Sequence, residues 1–436
     1  MLRFIIPIVL VFILELYTFF SIRTLTSNKF ILIGFWVFTV VVYGIFFYQM
    51  SITQREGRFS LSVGYAIAML LTLTVPKLFI LAILFIEDIF RFFTGLFNYF
   101  QHSGMSATEA LPGRRKFISQ LALGIAAIPF AGFLYGVFKG RYDFRVIKHT
   151  MFFDDLPDAF DGYTLTQISD IHAGSFDNKE KVEYAVDLIN QQQSDVILFT
   201  GDIVNAVAEE MHPWIDTFKK LEAKDGKYSV LGNHDYGFYA YETKTEILEN
   251  HKKIEQVHKD IGFNLLLNDK KTIERNGEKL HILGVENWGA SGHFPKKGSL
   301  KKAAHDVVDG EFNVLLSHDP SHFDYKEMQF PKNSEGKAVI RPTDVVDESN
   351  IINFEKKIQL TLSGHTHGMQ FGIEIPFLNF KWSPVKYRYP RWAGLYEEAG
   401  KYLHVNRGFG VLAFPGRVGI WPEITVIELK KREKVA

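Results

Sequence analysis

Four apolar runs in the first 138 residues constrain this chain before any other feature: Phe4 to Ile22, Phe30 to Met50, Ser62 to Ile86 and Phe117 to Phe138. Each is near the ~20 residues that cross a hydrocarbon core. The third is interrupted by Pro76 and Lys77, and the fourth is rich in Ala and Gly. A cleavable export signal has one short apolar core, so the repetition predicts a multi-pass α-helical membrane anchor. Buried helices of a water-soluble domain keep a polar face, which these runs mostly lack. Between the third and fourth runs, Phe92, Phe93, Phe97, Tyr99 and Phe100 predict an aromatic segment lying at the membrane interface.

Composition supports the division. The 436 residues hold 49 Lys and Arg against 49 Asp and Glu, a balance that speaks against a nucleic-acid partner. Residues 1–139 carry 11 of the basic and 5 of the acidic residues, so the two parts hold +6 and −6. The first part also has 21 of the 40 Phe. Cys is absent, which excludes disulfides, thiolate zinc sites and cysteine nucleophiles. Glu15 and Lys77 lie inside apolar runs, and ionisable groups there keep a transporter or membrane-sensor reading open. No Gly- or Pro-broken repeat halves accompany them. Residues 1–141 are therefore read as an anchor in the cell (inner) membrane, with membrane lipids as partners, and residues 142–436 as a separate domain.

Arg114-Arg115-Lys116-Phe117-Ile118 resembles a twin-arginine export signal, although it lies inside the chain with Gly113 where Ser or Thr is usual. Read plainly, it is a positive cytoplasmic flank. Both readings place the following domain on the external, periplasmic side. Lys139, Arg141, Arg145 and Lys148, just beyond the same helix, oppose them.

From about Tyr142 the composition is that of a globular domain with ample residues for a core. One pattern then recurs five times: a short apolar β-rich run followed by His, Asp or Asn. Tyr163–Ile168 leads into Asp170-Ile171-His172, and Val196–Thr200 into Gly201-Asp202. Tyr228–Leu231 leads into Gly232-Asn233-His234-Asp235, and Asn313–Leu316 into Ser317-His318-Asp319. Ile358–Leu362 leads into Ser363-Gly364-His365-Thr366-His367. Polar groups at strand carboxyl ends converge on one crevice in α/β proteins. Helical stretches are expected at Lys179–Gln191, Glu209–Ala223 and Tyr241–Ile261, and a last strand at Glu423–Leu429. The pattern predicts a β-sandwich flanked by helices. Gly262, Gly277 and Gly284 read as turn residues, and no G-x-x-x-x-G-K-[ST] phosphate loop occurs.

Asp170, His172, Asp202, Asn233, His318, His365 and His367 mix imidazole with carboxylate and amide oxygen, a donor set suited to Mn, Fe or Zn rather than Ca. Seven donors exceed one tetrahedral ion and suit two ions sharing a carboxylate. Such a pair lowers the pKa of a water and stabilises in-line displacement at phosphorus. Any one of these short motifs arises by chance; five, each after an apolar strand, do not.

In their order, D-x-H, G-D, G-N-H-D, S-H and G-H-T-H resemble the calcineurin-like metallophosphoesterase superfamily, from about Tyr163 to Leu429. Gly368, Arg407-Gly408 and Pro422-Glu423-Ile424 are similar to its bacterial membrane-bound branch, which includes twin-arginine-exported phosphodiesterases and relatives of UDP-2,3-diacylglucosamine hydrolases. The resemblance implies that Asp170, His172 and His367 hold one divalent ion and Asn233, His318 and His365 another, with Asp202 bridging. It also implies that His234 protonates the leaving oxygen and that Asp235 orients His234. Mn is the expected metal, with Fe or Zn as alternatives. The implied activity is hydrolysis of a phosphoester by metal-activated water. A lipid-linked substrate such as UDP-2,3-diacylglucosamine leads, and a broad phosphatase on soluble substrates or a non-catalytic phosphate-binding sensor are the rival readings. Two positions depart from the family pattern: Asn205 stands where a second Asp is usual, and Met369 where Gly is common.

His212, His251, His258, His281, His293, His305, His322 and His404 lie outside these motifs and are read as structural, with His322 the candidate exception. After the His pair, residues 375–392 interleave Lys381, Lys386, Arg388 and Arg391 with aromatics, and no acid occurs from Ile375 to Tyr396. That composition predicts contact with a lipid interface through Trp382, Tyr387 and Trp392.

Overall fold

The computed structural model describes residues 2–56, 60–101, 112–290, 294–308, 310–323, 358–378, 380–398 and 400–433. They form two compact units, Met1–Phe138 and Lys139–Ala436.

The first unit consists of α1 (Leu2–Leu25), α2 (Lys29–Glu56), α3 (Leu61–Gln101) and α4 (Pro112–Phe138). Among the described residues, three helical stretches are long and apolar enough to cross a membrane: Lys29–Thr53, Leu61–Phe97 and Gly113–Phe138. Pro76 lies within α3 without ending it. The aromatic stretch expected at the interface is the last part of α3, which continues from Leu78 to Gln101 with no further Pro. Ala122 and Ala126 of α4 let it approach Ile80 and Leu84 of α3 closely. Glu15, buried on α1, is bound by Lys77 Nζ of α3 at 2.7 and 2.8 Å. The Tyr43 and Thr39 hydroxyls of α2 donate to the same carboxylate at 3.1 and 3.4 Å.

The second unit opens with β1 (Arg145–Phe153), β2 (Thr164–Ile168), α5 (Lys179–Asn190), β3 (Val196–Phe199), α6 (Ile215–Phe218), β4 (Lys227–Ser229), α7 (Lys244–Asp260) and β5 (Asn264–Leu265). It continues with β6 (Asp269–Arg275), β7 (Glu278–Gly284), α8 (Leu300–Ala303), β8 (Phe312–Leu316) and β9 (Leu360–Ser363). β10 (Ile373–Ile375), β11 (Phe380–Trp382), β12 (Gly394–Glu398), β13 (Lys401–Val405) and β14 (Glu423–Lys431) complete it. Two six-stranded mixed sheets result, in the orders β1-β14-β2-β3-β4-β5 and β12-β13-β9-β8-β7-β6, with β10-β11 as a separate hairpin.

Strand alternation builds the core. In β3, Val196 and Leu198 face the inter-sheet core with Phe312, Val314 and Leu362. Ile197 and Phe199 face the opposite way, against Val182 and Val186 of α5 and Ile254 and Val257 of α7. The second sheet's outer face is covered by α8 and its flank, through Leu300, Ala303 and Val307 against Leu283 and Leu315. The helix expected at Glu209–Ala223 is mostly a 3₁₀ segment, Ala208–Trp214, followed by the single turn α6. Pro213 lacks the N–H that an α-helix needs at that position. Asn276-Gly277, both left-handed, close the β6–β7 hairpin as a two-residue turn. Gly284, expected in a turn, instead ends β7, where a side chain would strike Leu266 and Val230.

Candidate metal centre

The five motifs follow β2, β3 and β4 of one sheet and β8 and β9 of the other, so the site straddles the sandwich rather than lining one sheet. Two groups of donors meet there: Asp170, His172 and His367, and Asp202, His318 and His365. Apart from partly buried His365, these residues are buried. In the first group His172 Nε2 lies 3.0 Å from His367 Nε2, and Asp170 Oδ1 lies 3.1 Å from the same His367 atom. In the second, His365 Nδ1 lies 3.2 Å from His318 Nε2, which is 3.1 Å from Asp202 Oδ2. That Asp202 oxygen is also 3.7 Å from His172 Nε2, so Asp202 touches both groups.

The backbone is bent to make this possible. Asp170, His172, Asp202, His365 and His367 all have left-handed φ, between 46° and 72°. Non-glycine residues rarely adopt it, and such strain gathers at functional sites. Gly232 and Gly364 supply the room, since a Cβ on either would strike the Asp202 or Asp170 carboxylate.

These residues fit a metal pair. Asn233 Oδ1 is buried with no hydrogen-bond partner while its Nδ2 donates to Tyr239 Oη at 3.0 Å, leaving the oxygen as an orphaned acceptor beside the groups. His318 Nδ1 donates to the Thr200 carbonyl at 2.7 Å, which frees Nε2 to act as a ligand. The carboxylates supply the negative charge that a cation site requires, and in its absence they hold a proton on His318 that a metal would displace. Burial disfavours the His318 imidazolium, yet the Asp202 carboxylate lifts its pKa to about 10. Burial pushes the Asp170 carboxyl up, but the His367 imidazole more than reverses this and holds it below the usual range. Burial, reinforced by the Asp202 charge, raises Asp235 to about 7.

His234 takes a different position. Its Nδ1 is held by the Asn205 carbonyl at 2.6 Å, its ring stacks on Tyr239 with centroids 4.4 Å apart, and it meets the His172 ring edge-on. The hydrogen bonds of Asp235 go to backbone groups and not to the His234 ring. Its carboxylate accepts from the backbone N–H groups of Asp202, Ile203 and Gly232 at 2.8–2.9 Å and so ties the loops after β3 and β4 together. The orienting group is the Asn205 carbonyl, and Glu210 accepts the Asn205 N–H at 2.6 Å. The Asn205 backbone does this work, whichever side chain stands there. Met369 holds a left-handed φ of 55°, which accounts for Gly being common at that position.

Three supporting residues lay outside the expected ligand and acid set. Tyr389 Oη lies 2.8 Å from His365 Nε2 and donates to Asp319 Oδ2 at 3.3 Å, a carboxylate–tyrosine–histidine relay. Fully buried Arg417 donates to the Gly410 and Arg407 carbonyls and brings Nη2 within 3.4 Å of His367 Nδ1. Burial lowers its pKa to about 9. Asp319 could have been suspected from its place beside His318; Tyr389 and Arg417 had no such signal. His322 is not part of the cluster: it is buried against Trp288, with Nδ1 2.8 Å from Ser317 Oγ. His258, His281 and His404 pair with Ser229, Glu311 and Gln167, respectively. His293 lies outside the described residues.

Residues 163–369 match the family described as Calcineurin-like phosphoesterase. Those residues form a calcineurin-like phosphoesterase domain. Residues 2–141 match a second family, described as Probable Calcineurin-like phosphoesterase, transmembrane domain. This phosphoesterase is thus a membrane protein and a metal-dependent phosphoester hydrolase. It is 28% identical over 323 residues to the uncharacterized metallophosphoesterase YkuE of Bacillus subtilis, covering 73% of this chain and 97% of that one. To the phosphodiesterase YaeI of Escherichia coli it is 24% identical over 319 residues, covering 72% and 98%. A transmembrane protein with metallophosphoesterase domain from Danio rerio is 24% identical over 332 residues, covering 75% of this chain and 66% of its own length.

Proposed function

We propose that this phosphoesterase is a membrane-anchored, two-metal phosphodiesterase acting on lipid-linked substrates, with residues 1–141 as anchor and 142–436 as catalytic domain. The observation that carries the reading is the pair of donor groups joined through Asp202. Asp170, His172 and His367 hold one ion, Asn233, His318 and His365 the other, and Mn suits this nitrogen–oxygen set. Bound there, the ions supply Lewis-acid charge for the phosphoryl oxygens and acidify a water. The chain's own residues do the rest. With Nδ1 fixed on the Asn205 carbonyl, His234 presents Nε2 on the other side of its ring. As the water oxygen bonds to phosphorus, giving one proton to solvent, and the ester P–O bond breaks, His234 Nε2 delivers its proton to the leaving oxygen and regains one from solvent.

The β10–β11 hairpin supports the lipid-linked class. Beyond the His pair it exposes Ile373, Phe377, Leu378 and Phe380, with Phe377 86% and Leu378 62% exposed. Exposed Tyr387 lies between Lys386 and Arg388, which are also exposed. The apolar tip, rather than the tryptophans, is the lipid-facing element. Trp392 is 2% exposed, and its carbonyl accepts from Thr366 within the G-H-T-H motif at 2.6 Å. Lys381 is likewise occupied, by the Ala393 carbonyl at 2.6 Å.

The full chain in detergent should hydrolyse bis(p-nitrophenyl) phosphate, lose the activity to chelator and regain it with Mn²⁺. Asp202→Asn should lose both bound metal and activity; full activity after verified metal removal would falsify the mechanism. Acylated diesters in vesicles should be turned over faster than short-chain analogues, and Phe377→Ser with Leu378→Ser should erase that preference. Equal loss on both substrates would make the hairpin structural. A reporter fused to the C-terminus is expected outside the membrane, and a cytoplasmic signal would move the substrate to UDP-2,3-diacylglucosamine.

A further inference from the structure

The helical unit contains polar groups that hydrolysis does not use. A cavity of about 310 Å³, within the range of small-ligand sites, lies among α1, α3 and α4. Glu87 and Asp88 of α3, Arg115 and Ser119 of α4 and Ser21 of α1 line it, and Ile13, Leu16 and Phe20 make an apolar wall. Glu87 is only 7% exposed. Among the described residues its carboxylate forms no ion pair, and neither does the guanidinium of Arg115, which is exposed in the first turn of α4. Ser21 and Ser119 are each 1% exposed, and both hydroxyl oxygens are buried without a hydrogen-bond partner. Asp88, half exposed, reaches Arg91 only at 3.9 Å and accepts from the Tyr17 hydroxyl, which also lines the cavity.

Unpaired polar groups inside a membrane helix bundle are costly and mark ligand sites. Here the contrast is internal, because the other buried carboxylate of this unit, Glu15, has Lys77. The chemistry of the lining narrows the occupant. Carboxylates and hydroxyl oxygens accept N–H bonds, so one part of the cavity suits an ammonium that still carries hydrogens. Arg115, half of the arginine pair at the start of α4, suits a phosphate, which its planar fork can bind with two parallel bonds. A bare metal cation would leave Arg115 and the apolar wall unused. A bare anion would be repelled by Glu87 and Asp88.

We propose that this cavity binds the headgroup of a phospholipid bearing a primary amine, the ammonium at Glu87, Asp88 and the two serines and the phosphate at Arg115, with the acyl chains along the apolar wall. The site is independent of the metal donors, so either reading can fail without the other.

The test is native mass spectrometry of the full chain released from nanodiscs of phosphatidylethanolamine, phosphatidylcholine or phosphatidylglycerol. Retention of phosphatidylethanolamine should exceed that of each of the others by about tenfold, the worth of one charge-assisted hydrogen bond. Glu87→Gln, which keeps the side-chain shape, should abolish the preference over phosphatidylglycerol. Ser21→Ala with Ser119→Ala should weaken the preference over phosphatidylcholine, whose nitrogen has no N–H. Hydrolysis of a small soluble diester should be unchanged in these variants, which also shows that they are folded. Equal retention of phosphatidylcholine would overturn the ammonium assignment, and equal retention of phosphatidylglycerol would reduce the site to Arg115 alone. Displacement by free phosphoethanolamine at the lipid's own concentration would make the ligand soluble, and displacement by Mg²⁺ would make it a cation; either result overturns the proposal.

Discussion

Two buried charge networks, the one around Glu15 and the one around Asp202, are built in opposite ways. In the helical unit Glu15 is neutralised by Lys77 and shielded by Tyr43 and Thr39, so the network is closed upon itself. In the α/β unit His172 and His367, and His318 and His365, point ring nitrogens at one another, and Asn233 Oδ1 has no partner. A closed network holds structure, whereas an open one needs a visitor. The difference separates a residue that glues helices from residues that bind, although both types appear in sequence as charges in apolar surroundings.

The open network should respond most strongly to loss of a group that only the reaction uses. His234→Ala should keep its metals, read by elemental analysis, while kcat falls roughly 10²–10⁴-fold. The loss should shrink for esters with good leaving groups. Metal loss in this variant would place His234 among the ligands and erase the distinction between holding and reacting residues.

The closed network should respond in stability instead. Lys77→Met leaves the Glu15 charge buried with only the Tyr43 and Thr39 hydroxyls, which should cost about 3–5 kcal/mol in helix unfolding titrated with denaturing detergent. Adding Glu15→Gln should recover most of that loss. If the double variant stays as weak as the single one, the pair is not what closes this network.

The smallest effect sharpens the border between the two kinds. Tyr389→Phe removes the hydroxyl between His365 and Asp319 and should lower Mn²⁺ affinity about 10–100-fold, the usual worth of a partner behind a metal-binding imidazole. Electron paramagnetic resonance of the Mn²⁺-loaded chain should show the change at one ion of the pair. An unchanged affinity would make Tyr389 a packing residue.

Much of this was legible because strand-end chemistry is local. The apolar run before Asp170, or before His318, fixes a β-strand, and the next few residues must turn at its end. What was not legible depends on distance or on backbone. Tyr389 reaches His365 across 24 positions of chain with no regular period. Asp235 adjoins His234 in sequence, yet its carboxylate turns to the backbone of another loop, which residue types alone do not encode. Trp392 has the composition of an interfacial anchor but is claimed by the core beside Ile420. Pro213 did give a warning about its helix, in the form of a missing N–H.

One feature of the sheet bears on how the chain is made. β1 lies at a sheet edge, and its partner is β14, paired in parallel from Arg145↔Glu423 to Phe153↔Lys431. The partner emerges from the ribosome about 280 residues later, roughly 15–55 s at about 5–20 residues per second. Throughout that interval the strand following the helical unit is an unsatisfied template for foreign strands. Biogenesis of this phosphoesterase therefore includes a waiting period that no local contact can shorten, until β14 arrives to close β1.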